Sequence, residues 1–388
     1  MAWLVPENKL DDQQRDFVEN VDINQRNVWI KGFPGSGKSV LLAYTMKRIK
    51  RKDPQASVAV VVFTHSLISM FKAAFEEMGV SANIMTYYQF MAGSSRYDYV
   101  LSDEVQDMTS RVLSAMTSRA KHVIVAGDEN QSIYESDPKF REPTVTPSQI
   151  SDLLDCRSFE LGIIHRLSSS IITAVEKFMP GMNIFSSRRD LTKKTTQIRL
   201  CTAHSEEEEV EYIMREAQRA VNVGDTAAIL IPSQQKILAF FQMALSALGK
   251  SQWTVQLNQW GKVNYNNLNQ YLRSNGIKLQ YVGNGYGSLS EDDNCICVMT
   301  YHSSKGLDFD NVFLPFLSQS LYINSNESLS RTLFMVAMTR SRNNLYLTHS
   351  ESKSAYLSNF ASDCSEINVH NVLNGQTGSS GGGNIFGI

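Results

Sequence analysis

The 388 residues, 42% of them apolar, are too many for one ordinary core and fit two globular units. No apolar run approaches the roughly 20 residues a membrane-spanning helix needs, and the start MAWLVPENKLDDQQ lacks a secretion-signal pattern, so a cytoplasmic protein is expected. A net charge of -2 excludes global attraction to nucleic acid, and five scattered cysteines (Cys156, Cys201, Cys295, Cys297 and Cys364) argue against a disulfide framework or zinc site.

Short β-rich runs alternate with helical patterns through the first 165 residues. RNVWIKGF precedes a glycine turn and SVLLAYTMKRIKRK, and ASVAVVVFT precedes LISMFKAAFEEMG. YDYVLSDE, TSRVLSAMTSRA and KHVIVAGD follow. Such alternation predicts a parallel sheet with helices on both faces, whose ligands gather at the carboxyl ends of the strands. FMPGMNIFSSRRDLTKKTTQ interrupts the pattern and reads as a connection, its basic run fitting exposed linker or phosphate contact. A second alternation begins at QIRLCTA. Ser205 and Glu208 have capping-box spacing ahead of an acidic helix, and TAAILIP, NCICVMT, NVFLPF and NLYLTH supply strands. Cys295 and Cys297 alternate within one of these runs. Asn258 to Asn294 resists assignment, and LNGQTGSSGGGNIFGI reads as a flexible tail with an apolar end.

GFPGSGKS, Gly32 to Ser39, fits the P-loop pattern between a predicted strand and a predicted helix. Its backbone N–H groups can surround phosphates, Lys38 can reach the β and γ groups, and Ser39 can hold magnesium. In YVLSDEVQD, Asp103 follows an apolar strand and can bind the magnesium shell, while Glu104 can orient or deprotonate water. ATP and Mg2+ are therefore the expected cofactors.

The order of these and later motifs resembles the UvrD/Rep family of superfamily 1 helicases, from Leu10 to about His349. LDDQQRDFV resembles the family's Q motif, VVFTHS motif Ia, TYYQF a shortened motif Ib, LSDEVQD motif II and GDENQSIY motif III. LGIIHRLSSS resembles motif IV, VMTYHSSKGLDFDNVF motif V and RTLFMVAMTRS motif VI. The resemblance implies two RecA-like α/β domains in tandem, 1–165 and 166–375, with ATP between them and 376–388 as a tail. It implies Gln14 against adenine, Gln131 sensing the γ-phosphate, and Arg166 and Arg340 reaching it from the second domain, so that closure and hydrolysis are coupled. Catalytic residues would be Lys38, Glu104, Gln131, Arg166 and Arg340. ATP would also meet Gly32, Pro34, Gly35, Ser36, Gly37, Ser39, His165, Gly306 and Asp308. His165 stands where the family has tyrosine, and Asp308 where it has glutamate.

Single-stranded DNA is the implied partner, with Phe63, Thr64, His65, Tyr88, Tyr134 and His302 as candidate contacts. Phe63 fits the core equally well, and His302 fits a local hydrogen bond. The loop after motif III departs from the family: ESDP puts Ser136 at an aromatic position and Asp137 at an arginine, leaving Tyr134 as its aromatic. KRIKRK fits a solvated helix end. The family's two large insertions have no room here, save for a small element before motif V. The expected activity is ATP-driven translocation on single-stranded DNA, 3′ to 5′. The alternative is a nucleotide-driven switch or motor subunit regulating a protein partner such as a nuclease, through the tail.

Overall fold

A computed structural model describes residues 4–128, 132–134, 136–137, 140–165, 167–180, 188–189, 195–289 and 294–375. In the first half, α1 (Asp12–Asn20) leads to β1 (Asn27–Gly32), α2 (Lys38–Lys52), β2 (Val58–Val62), α3 (His65–Glu77), β3 (Asn83–Thr86) and α4 (Tyr87–Ala92). β4 (Tyr97–Ser102), α5 (Ser110–Arg119), β5 (Ala120–Gly127), α6 (Pro147–Leu154) and β6 (Cys156–Leu161) complete it. The six strands run parallel in the order β3-β2-β4-β5-β1-β6. VAVVV in β2 is buried throughout, as a strand covered by helices on both faces must be.

After β7 (Ile163–Ile164), α7 (Ser169–Phe178) and the short β8 (Arg188–Arg189), the chain builds a second sheet. Its elements are β9 (Gln197–Ala203), α8 (Glu206–Asn222), β10 (Ala227–Ile231), α9 (Gln234–Ala247), α10 (Tyr265–Ser274), β11 (Leu279–Tyr281) and β12 (Ile296–Thr300). β13 (Phe309–Leu314), α11 (Glu327–Met338), β14 (Ser341–Ser350), β15 (Ser365–Asn368) and α12 (Val369–Leu373) follow. Seven parallel strands lie in the order β11-β12-β10-β13-β14-β9-β15. Each sheet therefore has apolar cores on its two faces. The expected α/β architecture of two RecA-like units is what forms.

The first sheet's order explains the site. β1 lies beside β5, and β5 beside β4, so the turns leaving β1, β4 and β5 share one carboxyl edge. Ile133 leaves the first unit to pack with Ile164, Leu167, Leu307 and Met338 in a core of the second. The two units are thus joined by apolar contact close to that edge.

Only a short turn separates α3 from β3, so the first family insertion is absent, as expected. In place of the second insertion, Asn258 to Asn294 yields α10, β11 and two tight turns that periodicity had not revealed. Cys297 lies in β12, whereas Cys295 falls just before it. Ser205 caps α8 by accepting from the Glu208 N–H. In KRIKRK, Lys50, Arg51 and Lys52 form the last turn of α2, while the largely buried Arg48 donates to the Val21 carbonyl at 2.7 Å. Arg48 is therefore structural, and the exposed Arg51 and Lys52 form the expected solvated helix end. The SSRRDLTKK basic run, apart from the backbone pairing of Arg188 and Arg189 with β7, and the tail 376–388 lie outside the described residues. Among the described residues, no helix is long and apolar enough to cross a membrane.

Candidate ATP site and nucleic-acid cleft

The turn between β1 and α2 is built from residues that alone fit it. Gly35 and Gly37 have φ of 76° and 92°, in the left-handed region that glycine enters without strain. A Cβ on Gly37 would meet Gln14 Nε2 at 2.4 Å, and one on Gly32 would meet Ser36 Oγ at 2.5 Å. Lys38 opens α2 and folds back, donating to the carbonyls of Gly32 at 2.7 Å and Phe33 at 3.1 Å. Pro34 and Ser36 are buried, and Ser36 Oγ has no hydrogen-bond partner. Gln14 and His165 close one side: Gln14 Nε2 donates to the Ser36 carbonyl at 3.0 Å, and the His165 N–H to that of Gly35 at 2.9 Å. His165 Nε2 also meets the Asp11 carboxylate. The glycine cradle, its lysine and the orphan serine hydroxyl suit a polyphosphate.

Ser39 Oγ donates to Asp103 Oδ2 at 2.5 Å, joining the start of α2 to the end of β4. A hydroxyl and a carboxylate side by side suit a hard divalent cation such as Mg2+. Burial, then the neighbouring Glu104, pushes Asp103 up to about 6. Glu104 adopts φ 55° and ψ 44°, a left-handed conformation that costs a non-glycine residue roughly 1 kcal/mol or more. Strain of this kind concentrates where a side chain must be aimed. Gln106 Nε2 donates to Glu104 at 2.6 Å, while its Oε1 accepts from the Asp128 N–H at 3.2 Å. A Cβ on Gly127 would strike that same Oε1 at 2.4 Å.

The second unit reaches these acids through Lys305, in the turn after β12. Lys305 Nζ hydrogen-bonds Asp107 and lies 3.4 Å from Glu104. Burial disfavours the Lys305 charge, but Asp107 and Glu104 outweigh it and raise the group. Burial likewise works against a charged Glu104, yet Lys305, Lys38, Gln106 and Arg340 hold its carboxyl below the ordinary value. Arg340 itself is buried at the end of α11, donating to the carbonyls of Val336 at 2.8 Å and Leu307 at 3.1 Å. Gly306, at φ 81°, meets the other unit: a Cβ there would strike Leu67 Cδ2 at 2.8 Å. Asp308 faces Arg342 at 3.7 Å. Gln131 and Arg166 lie outside the described residues.

Beside this edge the two units enclose a cleft of about 770 Å³. Phe63, Thr64, His65, Tyr88, Tyr134 and His302, all singled out from sequence, line it together. Tyr134 stands between the units, its ring 4.8 Å from Phe63 and 5.5 Å from His302. Phe63 stacks on Tyr87 at 5.0 Å, and Tyr87 meets Tyr88 at 4.0 Å. Burial and the nearby Lys305 lower His302 to about 4, so its ring is neutral near pH 7. Thr64 caps α3 by accepting from the Leu67 N–H.

Asp137, which stands at the family's arginine position, does not face the cleft. It is fully buried, accepts hydrogen bonds from the hydroxyls of Tyr87 and Tyr88 and, at 2.6 Å, from the Phe140 N–H, and supports the aromatic row from below. Tyr134, the aromatic of its loop, is thus one member of a row of rings. Sequence reasoning also missed Lys305, Asp107 and the turn from Gly283 to Gly287. The Asn284-Gly285 pair in that turn was the available signal, since both residues take positive φ, as a tight hairpin requires.

Two parallel sheets, joined beside a nucleotide-ready edge and an aromatic cleft, define a tandem RecA-like architecture. Residues 14–137 match an AAA domain, and residues 251–352 match a UvrD-like helicase C-terminal domain. In both matches the chain is similar to the UvrD/Rep type of superfamily 1 helicases. A 60-residue stretch is 43% identical to the RecBCD enzyme subunit RecB of Chlamydia pneumoniae, covering 16% of this chain and 6% of that protein. A 70-residue stretch is 40% identical to DNA helicase II of Rickettsia typhi, covering 16% of this chain and 11% of that one. The solved helicase nonstructural protein 10 of an arterivirus is similar at 14% identity and a TM-score of 0.44, over 89% of this chain and 63% of that chain.

Proposed function

We propose that the chain hydrolyses ATP to move along single-stranded DNA, in the 3′ to 5′ direction that its family resemblance implies. The observation that carries this reading is the row Tyr87, Phe63, Tyr134 and His302, which crosses from one unit to the other beside the Lys305 contact with the motif II acids. Bases stack on aromatic rings whatever their identity, at roughly 1–3 kcal/mol each, which suits a track without sequence preference.

In this reading the P-loop amides and Lys38 bind the phosphates, Gln14 and His165 border the base, and Ser39 with Asp103 hold Mg2+. The bound cation neutralises charge on the phosphate oxygens. Glu104, kept ionised by Lys305 and Lys38, takes the proton of the attacking water. Gln131 positions that water, while Arg166 and Arg340 meet the transferring group when the units close, a contribution worth about 10³–10⁵ in rate for such arginines. Motion of one unit against the other then shifts Tyr134 relative to His302, and with them the stacked bases. Asp137, buried beneath Tyr87 and Tyr88, supports the track in this reading rather than opposing it.

The test is ATP hydrolysis with and without single-stranded DNA, for wild type, Tyr134→Ala and Arg340→Ala. Stimulation by DNA that Tyr134→Ala abolishes is expected. An unstimulated wild type with an unchanged Tyr134→Ala rate sinks translocation, and a fully active Arg340→Ala sinks the closure mechanism.

A further inference from the structure

No aspartate or glutamate occurs between Asp225 and Glu291, although the chain carries 39 acids in 388 residues. Lys236, Lys250, Lys262, Arg273 and Lys278 all fall in that interval, among many Asn and Gln. Lys236 pairs with Glu206 at 2.8 Å, and Lys250, Lys262 and Lys278 are exposed. The interval includes the Asn284-Gly285 turn, one wall of the cleft, and a second tight turn from Gln256 to Asn264. A stretch of chain without acids inside a slightly acidic protein is suited to phosphate, and its Asn284-Gly285 turn lines the track.

At the tip of the second turn stands Trp260, 74% exposed, with Leu257 beside it at 61%. Large aromatics are rarely left in water to this degree without a use. Its backbone is nevertheless fixed. The Asn258 side chain accepts from the N–H groups of Trp260 at 3.0 Å and Lys262 at 3.1 Å, and the Asn258 N–H donates to the Lys262 carbonyl at 2.7 Å. Trp253 and Val263 anchor the base of the turn in the core. The Asn258 amide then donates to the Tyr286 hydroxyl at 3.3 Å, and Tyr286 lines the cleft. Tyr286 packs edge-on against Tyr265, itself stacked on Tyr281 at 4.0 Å.

We propose that the Gln256–Asn264 turn continues the nucleic-acid path beyond the cleft, with the Trp260 indole as a preset platform for one base and Lys262 beside it for phosphate. The inference rests on the single-stranded DNA reading of the cleft. It commits to a nucleic acid over a protein because the chain from Thr226 to Ser290 contains no acid, Lys262 shares the turn with the ring, and Tyr286 connects the turn to the track.

Binding of fluorescent oligothymidylates to the full chain without nucleotide tests it, with one strand of about 5 nucleotides that fills the cleft and one of about 16 that overruns it. Trp260→Ala is expected to weaken the longer strand about ten- to hundredfold, leave the shorter unchanged, and keep the thermal midpoint. Trp260→Phe restores most of the loss, and Lys262→Ala lowers the salt slope for the longer strand by about 0.7. Tyr134→Ala weakens both strands. If Trp260→Ala changes neither strand while Tyr134→Ala weakens both, this inference falls and the cleft reading stands. Equal weakening of both strands by Trp260→Ala also overturns it, placing the ring within the cleft's own reach. If Tyr134→Ala alters neither, the cleft reading fails and the inference with it. Unchanged DNA binding with loss of self-association in Trp260→Ala assigns the turn to a second copy instead, and likewise overturns the proposal.

Discussion

Lys305 of the second unit hydrogen-bonds Asp107 of the first and stands 3.4 Å from Glu104, so one ammonium group ties the two halves together at the acid proposed to activate water. Its charge is part of what keeps Glu104 ionised. Separation of the units would remove that charge and make the ionised acid more costly.

Replacing Lys305 by methionine leaves Asp107 buried without its cation, which typically costs about 3–5 kcal/mol. Asp107→Asn beside Lys305→Met removes the orphan charge and is expected to recover about 2 kcal/mol or more of that loss. Urea unfolding of the two single variants and the double variant measures the coupling. Single losses that simply add would mean the pair contributes no specific contact.

Glu104→Gln keeps the hydrogen-bonding shape but cannot accept a proton. Turnover is expected to fall about 10²–10⁴-fold while nucleotide binding persists. Asp103→Asn weakens the cation site instead, so its hydrolysis responds to added Mg2+ and Glu104→Gln does not. Chelation of Mg2+ with excess EDTA stops wild-type turnover. If the two variants share one Mg2+ response, the division of roles between neighbouring acids is wrong.

The first sheet was legible because its strands are continuous apolar runs punctuated by glycine, as in VAVVV and the turn at Gly32 to Ser39. The ATP edge followed, since a P-loop and a DE pair have meaning at fixed places on such a sheet. α10 was illegible because Asn and Gln fill the places between the buried Tyr265, Leu268 and Leu272, and β11 because it is three residues long with Gln280 buried between Leu279 and Tyr281. Lys305 and Asp137 escaped for another reason. Local sequence indicates a charge but not its burial, and the partners of both residues are remote in the chain.

Asp137 distinguishes support of the aromatic row from repulsion of DNA. Asp137→Ala leaves the buried Tyr87 hydroxyl without its acceptor, and a loss of about 1–3 kcal/mol is expected. Stimulation of ATP hydrolysis by single-stranded DNA falls severalfold with it, because Phe63 and Tyr134 stack above Tyr87. Asp137→Asn, which still accepts, retains most of both. Urea unfolding and DNA titration read the two effects, and tighter DNA binding by Asp137→Ala would mean that the carboxylate repels DNA rather than supporting the row.

Glu209 predicts a pH dependence far from the ATP site. It sits in the first turn of α8, where the helix end favours negative charge, but it is fully buried. Its Oε1 accepts from the Phe316 N–H at 2.5 Å and the Thr348 hydroxyl at 2.6 Å, while Oε2 has no partner. Burial outweighs these bonds and pushes the carboxyl up from 4.5 to about 7. Between those values the folded chain holds a proton that the unfolded chain has lost. Stability must therefore fall as pH rises through that window and level off above it, by up to about 3 kcal/mol at 1.36 kcal/mol per pH unit. Glu209→Gln removes the ionisation and keeps an oxygen for Phe316 and Thr348, although its amide hydrogens find no acceptor at Oε2. The variant is expected to be slightly less stable than wild type at pH 5 and about 1–2 kcal/mol more stable at pH 8. Urea unfolding across that range decides the matter, because a difference that stays constant with pH would mean Glu209 is ionised throughout and that its two donors, rather than its burial, govern its charge.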